Sequence, residues 1–191
     1  VTVTSSLGQS RGRQGSSRSV WPCRVRPTRP SMPARCIQPE DPVYHVQPPL
    51  RTRKDRDGLR QAVKDGVIQA ISSHHQPHEP DAKLAPFAAT EAGISSVELL
   101  LPLALQLVSE GLLDLPTLLA RLSCGPASAL RLPAGRLAVG APADLVLFEP
   151  QGSTLAGSSW FSRGRNCPFI GEQLPGKVRF TLVDGHISYR S

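Results

Sequence analysis

Three histidines fall within one short stretch, His74-His75-Gln76-Pro77-His78, and they are the residues best suited to chemistry. Neutral imidazole binds zinc, and a histidine can also move a proton near neutral pH. His74 and His78 stand four positions apart, which on a helix would set both rings on one face. Pro77 opposes a helix there, because its ring clashes with the preceding turn and it has no N–H to donate. A zinc centre also needs at least three well-placed ligands with supporting hydrogen bonds. The stretch therefore reads either as a metal centre or as loop histidines without a ligand. Arg51, in Gln47-Pro48-Pro49-Leu50-Arg51, could bind an acidic ligand. Arg51 also precedes Arg53, Lys54 and Arg56, as a solvated helix start would. Cys124 and Cys167 are lone thiols, expected to be packed rather than reactive. Asp144 precedes an apolar strand and is expected to tie down a turn.

The elements that must position these residues can be read from periodicity. "RKDRDGLRQAVKDG" has apolar residues at 59, 62 and 63 amid charge, which predicts a short amphipathic helix stopped at Gly66. "VIQAISS" (67–73) predicts a strand buried on both faces. The histidines open the loop that follows, about twenty residues long (74–93), and so long a loop in a compact domain is usually functional. "SSVELLLPLALQLVSEG" predicts a helix with Ser95 and Glu98 as a capping box. "DLPTLLARLSCGPA" predicts a second, with Asp114 as cap and Pro116 in its first turn. From Leu137 the period becomes two, and "ADLVLF", "KVRFTLV" and "HISY" read as strands, with "VDGH" a hairpin turn.

The chain has 191 residues and a formal charge of +7, yet the charge is unevenly placed. Residues 1–39 hold seven Arg and no acid, whereas residues 40–191 balance 15 basic against 15 acidic side chains. The first segment is rich in Ser, Arg, Gly and Pro and is expected to be a disordered tail, because it cannot bury enough apolar surface to offset its ordering entropy. Acid-free sequence of this kind is also what an out-of-frame reading of a GC-rich gene yields. Its charge admits a third role, a nucleic-acid-binding arm whose affinity would fall steeply with salt, although Trp21 is its one aromatic. Four dispersed cysteines form no CxxC pair and favour a reducing, cytoplasmic setting. The longest apolar stretch, Val97 to Val108, includes Glu98, Pro102 and Gln106, too broken to span a membrane. The N-terminal stretch has no continuous apolar core of a secretory signal.

Five segments together carry a family resemblance. "VQPPLR" (46–51), "ISSHHQPH" (71–78), "PFAATEAGISSVELLLPL" (86–103), "GRLAVGAPADLVLFEP" (135–150) and "SRGRNCPFIGEQLPGKVRFTLVDGHISY" (162–189) resemble, in order, the C-terminal end of dihydroorotases within the amidohydrolase superfamily. The resemblance covers about residues 43–190. Within the group it points to the dihydroorotase-like subunit that some bacteria assemble with aspartate carbamoyltransferase. The fold it implies is α/β: the C-terminal fragment of a (β/α)8 TIM barrel plus strands of a small β-sandwich. The expected division is a basic tail over 1–42, the last barrel strand and helices over 43–134, and sandwich strands over 135–191. A partial barrel leaves strand edges open, so order is expected only within 43–190.

The departures from the family decide the functional expectation. Active dihydroorotases resemble this chain at 74–78 but read Asp-His-Ala-Pro-His, and the resemblance implies that their Asp is metal ligand and general base. A hydrolytic water needs such a carboxylate to take its proton beside the metal. This chain has His74 there, a change of a full charge unit. The family's Asn-Pro-Pro-Leu-Arg has become Gln47-Pro48-Pro49-Leu50-Arg51, which moves the amide by one methylene. The metal-binding His-x-His and bridging lysine of the family are not among these residues. The resemblance thus implies a non-catalytic protein of pyrimidine biosynthesis in the cytoplasm, with aspartate carbamoyltransferase as partner. Its site is expected to be vestigial (His74, His75 and His78, with Gln47 and Arg51), with no metal, although active members bind zinc. The alternative is an active zinc-dependent cyclic-amide hydrolase of the dihydroorotase or allantoinase type. Asn166 and its "RGRN" turn are expected to be structural, linking sandwich to barrel.

Overall fold

A computed structural model of the chain describes residues 41–158 and 160–191, together with the backbone of Thr2–Thr4 and Arg18–Ser19. The expected tail over 1–42, and any nucleic-acid arm in it, therefore falls almost wholly outside the described residues. Within that range Thr2–Thr4 (β1) and Arg18–Ser19 (β2) run antiparallel to each other, and β1 also pairs with β3, Ala70–Ser72. Asp41 accepts from the Val43 N–H and caps a 3-10 turn over Pro42–Tyr44.

The helix expected at "RKDRDGLRQAVKDG" is α1, Arg53–Lys64. Thr52 starts it with a reciprocal capping box: its hydroxyl accepts from the Asp55 N–H, and the Asp55 carboxylate accepts from the Thr52 N–H. Those bonds hold the Asp55 carboxyl below its ordinary range, with Arg51 and Lys54 adding to the effect. The strand expected over 67–73 is shorter, Ala70–Ser72, because Val67 lies exposed beyond the end of α1.

Two helix expectations need correction. Ser95 and Glu98 form no capping box. A 3-10 turn, Val97–Leu99, leads into α2, Leu100–Ser109, and neither start carries a side-chain cap of its own. Ser95 is fully buried, and its hydroxyl donates to Ser162; the Glu98 carboxylate accepts instead from the N–H groups of Phe161 and Ser162. Nor is "DLPTLLARLSCGPA" one helix. α3, Leu115–Leu122, is capped by Asp114 as expected, then Ser123 leaves the helical region and α4 occupies Cys124–Ala129. Pro126, which cannot donate to a carbonyl one turn back, explains the break.

Three antiparallel strands complete the chain: β4, Leu145–Leu155; β5, Gln173–Val183; and β6, His186–Arg190. The β5–β6 turn is Asp184-Gly185, with φ of 49° and 80°, as a two-residue hairpin with both central residues left-handed requires. Asp144 accepts from the Asp184 N–H at 2.7 Å and ties this turn to the start of β4, the role read from sequence.

Two apolar clusters hold the parts together. Val63, Ile68, Ile71, Ala104, Leu105, Leu113 and Leu118 join α1, β3, α2 and α3. Val46, Ile94, Leu99, Leu103, Ala156, Cys167 and Leu174 join the segments leading into α1 and α2 to α2 itself, the end of β4 and β5. α2 thus lies between the helical portion and the sheet, and it packs so closely on β5 that a Cβ at Gly176 would stand 2.3 Å from Leu105 Cδ1. The α/β plan read from sequence, a strand-and-helix portion with a separate small sheet, is the plan observed.

Leu118 is completely buried in the first cluster. Leu118→Ala is expected to lower unfolding free energy by about 2–5 kcal/mol in urea titration. A loss under about 1 kcal/mol would mean that this cluster is not the cooperative core.

Candidate functional site

The site is built where the chain leaves β3. His74 has φ of 48°, in the left-handed region that non-glycine residues seldom adopt. That kink turns the chain so that His75 bridges in parallel to Ile94 and the Gln76 N–H donates to the Ile94 carbonyl at 2.9 Å. The Ser96 hydroxyl returns a bond to the Ser73 carbonyl at 2.8 Å. The loop of residues 74–93 is therefore closed at its base, and it has its own 3-10 turns at Pro80–Lys83 and Phe87–Ala89.

The three imidazoles have separate tasks. His75 Nδ1 accepts from the N–H groups of Ser96 and Val97, at 2.9 and 3.1 Å. That fixes the neutral ring with its proton on Nε2. Burial lowers the His75 pKa, opposed by the Glu98 carboxylate. His78 Nε2 lies 3.1 Å from the Ala92 carbonyl, which can only accept, so this nitrogen carries a proton. The His78 N–H donates to Asn166 Oδ1 at 2.8 Å. The His74 ring is partly exposed at the loop's start.

Asn166 is the residue around which the loop is arranged. It is nearly fully buried, and its Nδ2 donates to the carbonyls of Gln76 and Gly93 at 2.9 and 3.0 Å. With the bond from His78, one side chain joins both ends of the loop to the segment before β5. Gly93 permits this closeness: its φ is 149°, and an added Cβ would stand 2.6 Å from Gln76 Cβ. Asn166 is thus structural, as its sequence context suggested.

Gln47 and Arg51 are exposed, on the segment between the first 3-10 turn and α1. That segment touches the loop through the Gly93 N–H, which donates to the His45 carbonyl at 2.9 Å. Sequence reasoning missed His45. The Thr90 hydroxyl donates to the Phe87 carbonyl, so His45 Nδ1–H donates to the Thr90 oxygen at 2.9 Å, while the ring stacks on Phe87. Lys83 Nζ donates to the carbonyls of His45 and Glu91, and burial lowers its pKa. A lone histidine, at position 45 where the others begin at 74, gave no signal of this role.

Cys167 is buried and its thiol is pushed up to about 11 by burial, so it is packed and inert. Cys124 departs from expectation: it is exposed.

His75 has Nδ1 engaged by two N–H groups, so its other nitrogen carries the proton and the ring offers no lone pair to zinc. His78, donating from Nε2, keeps Nδ1 free, and position 74 supplies no carboxylate, so the loop by itself falls short of the three ligands a zinc ion needs. Among the described residues no three His, Cys, Asp or Glu side chains converge as a metal site would need.

Comparison with known proteins gives the family. The Amidohydrolase family model matches residues 38–188. This chain belongs to the amidohydrolase family. Within it, the chain is 78% identical over 147 residues to a dihydroorotase-like protein of Pseudomonas putida, covering 77% of this chain and 35% of that protein. It is 76% identical to a dihydroorotase-like protein of Pseudomonas aeruginosa, with the same coverage. It is 44% identical to a dihydroorotase of Syntrophotalea carbinolica, covering 76% of this chain and 34% of that one. This amidohydrolase chain therefore spans about a third of the length of the relatives it matches. Among solved structures it resembles a D-hydantoinase (TM-score 0.70, 26% identity, 78% of this chain and 34% of that one). It also resembles the L-hydantoinase of Arthrobacter aurescens (TM-score 0.71, 27% identity, 78% and 35%). The dihydroorotase resemblance drawn from the motifs and the α/β amidohydrolase fold both stand. No described helix is long and apolar enough to cross a membrane.

Asn166→Ala in this amidohydrolase chain removes partners from two carbonyls and one N–H at once. It is expected to cost about 2–4 kcal/mol, read from denaturant midpoints, with faster amide exchange at His78. Unchanged exchange at His78 would show that the loop is held by other contacts.

Proposed function

We propose that this chain is the C-terminal part of a cytoplasmic dihydroorotase-like protein that lacks dihydroorotase activity and serves pyrimidine biosynthesis as an assembly subunit for aspartate carbamoyltransferase. The observation that carries the reading is the imidazole at position 74, at the exit of β3, where active dihydroorotases have the carboxylate. In those enzymes one carboxylate both ligates the metal and takes the proton of the hydrolytic water, and an imidazole in its place changes the site's charge by a full unit and needs new geometry. His74 is either neutral or positive, and its neighbours His75 and His78 are occupied in holding the loop. The high identity to proteins named dihydroorotase-like, rather than dihydroorotase, supports the same reading. Exposed Gln47 and Arg51 are then remnants of substrate binding.

An active cyclic-amide hydrolase is the competing reading, favoured by the hydantoinase structures the chain resembles. The chain is to be incubated with N-carbamoyl-aspartate and zinc, then with the catalytic chain of aspartate carbamoyltransferase. Absence of dihydroorotate, substoichiometric zinc and co-elution with the carbamoyltransferase are expected. Turnover with stoichiometric zinc would overturn the non-catalytic reading, and separate elution would overturn the assembly role. Because the chain spans a third of its relatives, the residue argument is tested separately by exchanging Asp for His at the matching position of an active dihydroorotase. Loss of roughly 10²-fold to 10⁴-fold in turnover is expected; near-full activity would remove the argument from His74.

A further inference from the structure

The His75 ring does something that neither catalysis nor assembly explains. The turn at Val97–Leu99 and the helix α2 behind it start without a side-chain cap of their own. The first N–H groups of such a start need acceptors. His75 supplies one from 21 residues upstream: its Nδ1 accepts from both Ser96 and Val97. An imidazole fills the place usually taken by Ser, Asp or Asn, and it does so only while neutral.

We propose that His75 is an acid-sensitive latch, which in its neutral form caps the 97–109 helical run and holds the loop of residues 74–93 shut, and on protonation lets that loop open. A charged imidazolium has N–H on both ring nitrogens, so no rotation of the ring restores an acceptor. It would also place positive charge at the positive end of the helical run. Burial acts in the same direction. Glu98, on the turn itself, opposes these effects and is the charged side chain that acts on His75; its carboxylate is already engaged by the N–H groups of Phe161 and Ser162. His74 and His78 flank the ring on its own loop.

The sign follows. His75 is harder to protonate folded than unfolded, so its cap is fully present above the ordinary histidine value of about 6.5. It is lost as pH falls through the lowered folded value. What remains is the Ser96 hydroxyl on Ser73, the Gln76 N–H on Ile94 and the Asn166 amide on Gln76, Gly93 and His78, so opening is confined to the Ser96–Val97 side of the loop and is not global. The inference does not depend on the function proposed above.

Amide hydrogen exchange on the whole chain, corrected for intrinsic rate, tests it between pH 7.5 and 5. Protection of the Ser96 and Val97 amides is expected to drop roughly ten-fold on acidification, while that of Leu103 and Ala104 inside α2 holds. His75→Asn supplies a side-chain oxygen that accepts without titrating, and it should remove the pH dependence. Protection that ignores pH in the unaltered chain would overturn the latch, as would the same drop in His75→Asn. Should that variant not fold, nitrogen NMR of the unaltered chain decides. An unprotonated Nδ1 at pH 7.5, titrating together with the Ser96 and Val97 amides, supports the latch. A proton on Nδ1 at that pH overturns it.

Discussion

The satisfaction of three backbone groups, withdrawn wholly or partly from water, by one buried side chain, the amide of Asn166, is the constraint on which the site depends. A peptide N–H or C=O taken out of water without a partner costs more than a made hydrogen bond returns. The loop after β3 turns sharply at His74 and comes back at Gly93, so the Gln76 and Gly93 carbonyls and the His78 N–H point inward with no ladder to receive them. Asn166 has both a donor pair and an acceptor, and it serves all three. An Asp there would lose the donors, and a Ser could not reach so many partners. The segment before β5 is thereby fixed to the loop, which is how the small sheet and the helical portion come to share a site.

Around that amide the remaining contacts reinforce one another. Glu98 reaches from the start of the helical run to the N–H groups of Phe161 and Ser162, and Ser95 bonds Ser162 from the adjacent position. Trp160 Nε1 donates to the Gly164 carbonyl and closes the same segment on itself. Polar bonds of this kind specify register; burial provides the larger driving force. The second apolar cluster lies directly beneath, with Ile94, Leu99 and Leu103 meeting Cys167 and Leu174. α2 can serve both clusters because its sequence is apolar nearly all round, as an internal helix must be.

Much of this was legible in the sequence where the signal is local. Asp114 with Pro116 and Asp184-Gly185 each sit next to the backbone they cap or turn, so residue type and spacing suffice; the Thr52–Asp55 box is as local, yet it was not read. The α/β plan and the dihydroorotase motifs were likewise readable. What failed were signals whose partners lie far along the chain. Ser95 and Glu98 have the spacing of a capping box, yet each finds a partner beyond residue 160, where no helical pattern could reveal it. The His75 cap reaches across 21 residues for the same reason. For the site itself, the histidines were found by proximity to one another, whereas His45, stacked on Phe87, carried no pattern at all.

Position 74 stands apart from the architecture of its own turn. In a hydrolase the three residues at this turn would have to share the site between chemistry and architecture. In this chain the architectural part is intact: His75 accepts two N–H groups, and His78 both donates from its ring and is held through its backbone. His74 is the residue of the turn whose side chain carries none of that load, at a left-handed backbone angle that few non-glycine residues adopt. The shape of the loop thus rests on His75, His78, Asn166 and Gly93, and a change of side chain at residue 74 leaves those contacts in place.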